Sequence, residues 1–312
     1  MTSYTEGLDR RQVGKLRAVL EEQGFEFGEK PYAIYSAHKG KLNVTVYEKG
    51  PKVLVQGKET EDFVRFVLEP EVLGEAKLGY EEVNQPEMFA PHIGVDESGK
   101  GDFFGPLVIA GVYVDGGIAR RLLDAGVTDS KRIKSAAKIR MLAEQIRGVR
   151  GLEWEVISVG PERYNEMYGS FGNLNRLLAW GHARVIETLA GRRPDCPRAL
   201  SDQFARVEVL QRALKAKGVE IKLEQRTKAE SDVAVAAASI LARERFVGWI
   251  DKASEAGGVE LPLGASSAVV EAGRAVVARH GREGLAKVAK LHFRTRQEVL
   301  GEVEKDGEGL DS

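Results

Sequence analysis

The densest run of chemistry-bearing residues is Gly94-Val95-Asp96-Glu97-Ser98-Gly99-Lys100-Gly101. Adjacent carboxylates follow a short apolar stretch, and a glycine-spaced basic loop follows them. Two acids at a strand end suit a divalent cation, and a Gly-Lys-Gly turn suits a phosphate. A cation beside a phosphate is the setting for phosphoryl transfer. Gly94-x-x-x-x-Gly99-Lys100 also matches the opening of a nucleotide-binding P-loop, which requires Ser or Thr next. Gly101 stands there instead, and Asp96 and Glu97 would fall inside a cradle meant for polyphosphate. No nucleotide cofactor is therefore expected.

Side chains alternate faces along a strand, so Asp96 and Glu97 serve one site only if the strand ends there, as Ser98-Gly99 suggests. Asp202, directly after the apolar Ala199-Leu200, is a second candidate at a strand end, where open α/β sheets gather functional groups. A lone Asp there equally makes a turn or a helix cap. The third cluster is Thr227-Lys228-Ala229-Glu230-Ser231-Asp232, ahead of an Ala-rich helix. Thr227-x-x-Glu230 reads as a capping box and Ser231 or Asp232 as an N-cap, so capping leads over chemistry on spacing alone. The small residues of that helix would let its first turn approach the strand ends. The five histidines show no metal-ligand spacing, and His182 and His292 read as packing or hydrogen-bonding groups. Ser98, Ser130 and Ser201 lack a nucleophile signature.

The elements that must position these residues fall into two groups. Residues 1–73 form a small α+β unit. A helix carries Val13, Leu16, Val19 and Leu20 and stops at Gly24. Strands follow at Tyr32–Ala37, Leu42–Tyr47 and Val53–Val55, and a second helix is capped by Thr60. Lys30 to Lys58 holds six lysines against the single acid Glu48, whereas Glu59 to Glu87 holds nine acids against Arg65 and Lys77. Lys39, Lys41 and Lys52 thus belong to a basic sheet stretch that could lie on a phosphodiester backbone or be ordinary solvated surface. Residues 74–91, with Gly74, Gly79, Pro86 and Pro91, read as a linker. From residue 92 to 312 strands alternate with helices, which predicts an α/β domain with helices covering a mixed sheet. A second basic stretch, Arg120 to Arg150, contains the polar turn Asp129-Ser130-Lys131-Arg132 before a helix capped by Ser135.

Composition narrows the class. The formal net charge is −1, so a nucleic-acid surface must come from local segregation of charge. Cys196 is the single cysteine, which excludes an intrachain disulfide and a cysteine-rich zinc site. The N-terminal residues lack signal-peptide features, and no apolar run approaches the roughly 18 residues that span a membrane. A cytoplasmic monomer without membrane association is expected.

At Gly94–Gly101 the sequence resembles the type 2 ribonucleases H, and among them the bacterial ribonucleases HIII. Further segments agree, in the family's order: Thr128-Asp129-Ser130-Lys131, Tyr164-Asn165 with Asn173-Leu174-Asn175, Leu178-Ala179-Trp180 with His182, Asp202-Gln203-Phe204, Thr227-Lys228-Ala229-Glu230-Ser231, Ala236-Ala237-Ala238-Ser239-Ile240 and Lys290-Leu291-His292-Phe293. The resemblance covers about residues 92–298. It implies an RNase H-like fold and a small N-terminal substrate-binding domain like the TATA-box-binding protein. It also implies four acids holding two Mg²⁺ or Mn²⁺ ions: Asp96, Glu97, Asp202 and Glu230, with Asp232 as contender for the fourth. Ser98, Gly99, Lys100 and Gly101, with Ser130 and Lys131, would contact the nucleic acid, joined by Lys39, Lys41 and Lys52. The implied activity is endonucleolytic hydrolysis of the RNA strand of an RNA/DNA hybrid. The alternatives are an enzyme like ribonuclease HII that incises at single ribonucleotides in duplex DNA, and a non-catalytic hybrid-binding protein. Leu263 departs from the family, many of whose members carry Lys there, and this bears on a backbone contact alone.

Overall fold

The computed structural model, which describes residues 3–74, 85–127, 133 and 135–302, contains two five-stranded sheets, one in each of two units, Met1–Glu87 and Met88–Ser312. The first unit runs β1 (Ser3–Gly7), α1 (Arg10–Glu22), β2 (Glu26–Gly28), β3 (Ala33–Lys39), β4 (Leu42–Tyr47), β5 (Lys52–Gln56) and α2 (Thr60–Phe63), then winds on as a π-helix over Val64–Leu73. Its sheet is antiparallel throughout, in the order β1-β5-β4-β3-β2. Asp9 and Gln12 close a capping box at the start of α1, whose Leu16, Val19 and Leu20 enter a core with Ala37, Val44, Val46, Val53 and Val55. The edge strands β1 and β2 add to the sequence reading, since β2 has three residues and β1 no apolar alternation. Thr60 does not cap α2 either. It sits inside the first turn and donates its hydroxyl to Gly57 O at 2.8 Å.

The paired register makes the other sheet face polar. Thr5, Leu54, Thr45 and Ser36 form one row across it, and Ser3, Gln56, Asn43 and His38 a second. Lys52, paired with Gly7 and Tyr47, belongs to this face. Lys39 does not, because it shares the inward parity of Tyr35 and Ala37. Its Nζ donates to Gln23 O at 2.8 Å, near the Phe25 ring. Lys41 lies in the turn between β3 and β4. The three lysines therefore do not form one basic face.

The second unit comprises β6 (His92–Ser98), β7 (Leu107–Val114), α3 (Gly116–Asp124), α4 (Ala136–Gly148), β8 (Glu153–Val159), α5 (Pro161–Phe171), α6 (Leu174–Arg192), β9 (Arg198–Asp202), α7 (Val207–Ala216), β10 (Lys222–Arg226), α8 (Val233–Gly257), α9 (Ser267–Val288) and α10 (Thr295–Leu300). Its sheet has the order β10-β9-β6-β7-β8. β6, β7 and β8 form an antiparallel meander, while β9 and β10 run parallel to β6. The β6–β7 ladder continues to Ser98–Val108, but the β6–β9 ladder stops at Val95–Ser201. β6 thus does not end at Asp96-Glu97, as the sequence suggested. It loses one neighbour there and keeps the other.

Missing side chains set how closely the helices cover this sheet. A methyl added at Gly94 would overlap the backbone of α8 at Ala234 and Val235, so that helix lies directly on β6. On the opposite face, methyls at Gly111 and Gly181 would strike Val185 and Ile109, so α6 lies equally close to β7. Gly94→Ala should therefore destabilise the protein by about 3 kcal/mol, the upper range for overpacking a tight core. Urea unfolding measures this, and wild-type stability in the variant would refute the close contact.

Candidate active site

Alternation along β6 sends Asp96 toward α8 and Glu97 toward α6. Asp96 is buried, accepts a hydrogen bond from Ser239 of α8, and accepts the Glu97 amide at 2.8 Å. Asp202, the last residue of β9, stands where β6 and β9 have parted. Together with Ser98, Gly99, Lys100 and Gly101, the three acids line a cleft of about 410 Å³. Its wall is completed by Asp102, Ser239, Arg243, Phe246, Val247 and the half-exposed Leu263. Sequence reasoning missed Ser239, Arg243 and Phe246. Their spacing of four and then three along α8 was the available signal, since it puts them on the face that meets Asp96.

Burial pushes the Asp96 carboxyl up to about 7, helped by the charges of Glu97 and Asp202. Glu97 behaves oppositely. Burial would raise it, but His182 and then Lys100 outweigh burial and hold it below the ordinary range. Glu97 Oε2 lies 3.1 Å from His182 Nε2, and Oε1 lies 3.2 Å from Lys100 Nζ. Asp202 Oδ1 accepts the Ala229 amide at 3.2 Å, which brings the 3₁₀ turn Ala229–Ser231, and with it Glu230, beside Asp202. Of the caps the sequence offered for α8, Asp232 is the one the structure uses. Asp232, not Thr227 with Glu230, caps α8, accepting from the amides of Ala234 and Val235, and it also meets the buried His92 Nε2 at 2.9 Å. Asp232 Oδ1 is thereby committed to the helix end and to His92, and Glu230 does not cap α8. Ser130 and Lys131 lie outside the described residues, and Lys39, Lys41 and Lys52 belong to the other unit.

The donor set fits a hard divalent cation, since it is all carboxylate oxygen and its charges repel one another in the absence of a counter-charge. In the present conformation no three His, Cys, Asp or Glu among the described residues are arranged to hold an ion. Glu97 and Asp202 are instead held by protein groups.

The loop from Gly99 to Gly105 is clamped from below. Gly99 has φ +86°, and a side chain there would strike Pro106 O and Phe246, so only glycine makes this turn. Asp102 Oδ1 accepts the Gly264 amide at 2.6 Å, and the Phe103 amide donates to Gly264 O at 2.9 Å. Lys290, fully buried, donates its Nζ to Phe104 O at 3.1 Å and Gly105 O at 2.6 Å. Burial lowers that ammonium to about 7, partly offset by Asp102. Above about pH 7 the folded protein has released a proton that the unfolded chain still binds, so Lys290 makes stability rise with pH up to about 10. Lys290→Met should flatten that alkaline rise in urea unfolding at stepped pH. An unchanged rise would show that Lys290 is not its source.

Among the described residues no helix is long and apolar enough to cross a membrane. A model of the Ribonuclease HII family matches residues 93–296. The ribonuclease HIII of Protochlamydia amoebophila is 44% identical over 298 residues, covering 96% of this chain and 97% of its own. That of Chlamydia pneumoniae is 46% identical over 286 residues, covering 91% and 93%. Among solved structures, Bst-RNase HIII in complex with Mn²⁺ superposes with a TM-score of 0.66 at 29% identity, covering 96% of this chain and 98% of that one. Likeness this extensive, over both units and with the carboxylate cleft inside the matched region, means that the chain belongs to the type 2 ribonucleases H, and within them to the ribonucleases HIII, which are metal-dependent endoribonucleases.

Proposed function

We propose that the chain hydrolyses the RNA strand of RNA/DNA hybrids, leaving 5′-phosphate and 3′-hydroxyl ends, with Asp96, Glu97, Asp202 and Glu230 holding two Mg²⁺ or Mn²⁺ ions. The observation that carries this reading is the convergence of Asp96, Glu97 and Asp202 on one cleft beside the Ser98–Gly101 loop. The ions, when bound, supply Lewis acidity that activates water and stabilises the leaving oxygen. Glu230 is preferred to Asp232 as the fourth acid because Asp232 already caps α8 and binds His92.

The chain's own groups bind and orient the substrate. Lys100 is partly exposed and pairs with Glu97 at 3.2 Å from the open side of the cleft, so its ammonium can turn to a phosphate of the scissile strand. Open space surrounds the Gly101 Cα, which lets a nucleic-acid backbone come up to the Gly99–Gly101 amides, the groups suited to reading a ribose 2′-hydroxyl. Phe246, Val247 and Leu263 give the cleft an apolar wall that excludes water. The polar helix-free face of the N-terminal sheet, carrying Lys52, serves as a second grip on the duplex.

A time course on end-labelled RNA/DNA hybrid with Mg²⁺, Mn²⁺ or EDTA tests the reading. Cleavage in either metal and none in EDTA is expected. A protein that binds hybrid in EDTA and never cuts when metal is added would be a binding module instead. Cleavage confined to a single ribonucleotide embedded in duplex DNA would make it an enzyme of the ribonuclease HII kind.

A further inference from the structure

His182 is completely buried, yet its ring contacts both strands that carry the site acids. The Ser201 hydroxyl lies 3.0 Å from His182 Nδ1 and 2.9 Å from Asp202 O, and so holds the second ring nitrogen to β9. The Glu97 carboxylate only accepts, so Nε2–H donates to Oε2 at 3.1 Å. Phe204, two residues after Asp202, covers the ring with centroids 4.7 Å apart. The ring thus bridges β6 and β9 where their backbone ladder stops, from Ser201 of its last pair to Glu97, two residues past Val95. The bare backbones of Gly181 and Gly111 bring α6 close enough for this contact.

We propose that His182 is a positioning residue that fixes the Glu97 carboxylate through Oε2, leaving Oε1 to face the cation, and ties Glu97 to the β9 segment bearing Asp202. This rests on the metal-site reading above. Oε1 lies 3.2 Å from the Nζ of Lys100, a partly exposed residue that lines the cleft. A donor that fixes one oxygen of a ligating carboxylate acts on affinity and geometry without touching the reacting atoms.

The test separates the two ring nitrogens. In His182→Gln the amide nitrogen can replace Nε2 and keep the donor to Glu97. In His182→Asn it can replace only Nδ1, so the Ser201 link survives and the Glu97 link is lost. Mn²⁺ binding is measured by electron paramagnetic resonance without substrate, alongside the metal-free melting temperature. Expected is a loss of Mn²⁺ affinity of about 10-fold or more in His182→Asn and within about 3-fold in His182→Gln. In a Glu97→Gln background, His182→Asn should cost nothing further. Equal affinities in the Asn and Gln variants, or an undiminished His182→Asn effect in the Glu97→Gln background, would overturn the proposal. If His182→Asn does not yield folded protein, Ser201→Ala takes its place. It should lose about 3-fold in affinity, and an unchanged affinity overturns the proposal. Wild-type protein that binds no Mn²⁺ would instead remove the metal-site reading itself.

Discussion

Asp96→Asn should reduce cleavage of an RNA/DNA hybrid by about 10³-fold, equivalent to roughly 4 kcal/mol of transition-state stabilisation, while hybrid binding in EDTA stays near wild type. The substitution keeps the side chain's shape and its contacts with Ser239 and the Glu97 amide but removes a buried charge. It should also stabilise the metal-free protein. Burial and the neighbouring acids raise Asp96 from its ordinary 3.8 to about 7. Between these values the unfolded chain has already released the proton that the folded protein keeps, so wild-type stability falls as pH rises through the window. The variant lacks this fall, and at pH 8 it should melt several degrees above wild type in EDTA. A variant that cleaves normally at saturating metal would remove Asp96 from the site. One that is less stable than wild type at pH 8 would contradict the electrostatic account. For the same reason metal competes with a proton at Asp96, so metal affinity should weaken as pH falls below about 7.

Removal of residues 1–87 should weaken hybrid binding by about 10²-fold at moderate salt and flatten its salt dependence, because each lost phosphate contact lowers the logarithmic slope by about one. The two units have separate apolar cores, so the second keeps its own. Turnover at saturating hybrid should survive in the truncated protein. A finer test lies within the sheet. Lys52→Ala removes a cation from the polar face and should lower both affinity and slope. Lys39→Ala should change neither, since its Nζ is turned toward Gln23 and Phe25 on the helix side. Equal effects of the two substitutions, or unchanged affinity of the truncated chain across a salt titration, would refute the sheet face as the grip.

The α/β class and most long elements could be read directly, because periodic apolar residues mark amphipathic helices and β-branched runs mark buried strands. Ser135 caps its helix as expected, and Arg198–Asp202 is a strand with Asp202 at its end. Asp96 and Glu97 were legible as candidates because two adjacent acids after an apolar run are chemically unusual. Other features depended on contacts distant in sequence. Which side of β6 stays paired is decided by β7 and β9 separately, and no local pattern encodes that. His182 read only as a packing or hydrogen-bonding group, and Lys290 carried no local signal, because each meets its partners far along the chain, His182 at Glu97 and Lys290 at Phe104 and Gly105. Asp232 was one of the caps the sequence offered, and only its pairing with His92, 140 residues earlier, shows that its Oδ1 is shared between the helix end and a buried ring.

The release of β6 from β9 after Val95 also bears on the order in which the chain becomes competent. The meander of β6, β7 and β8 is built from neighbours in sequence and can form early, while β9 must close a long loop to pair with β6. Asp96 and Glu97 sit on the early half, and Asp202 and Glu230 are synthesised afterwards. If the four-acid site proposed above is right, a nascent chain with only the meander folded would carry Asp96 and Glu97 without Asp202 and Glu230. Cleavage would have to wait until β9 and the turn before α8 had been made and docked.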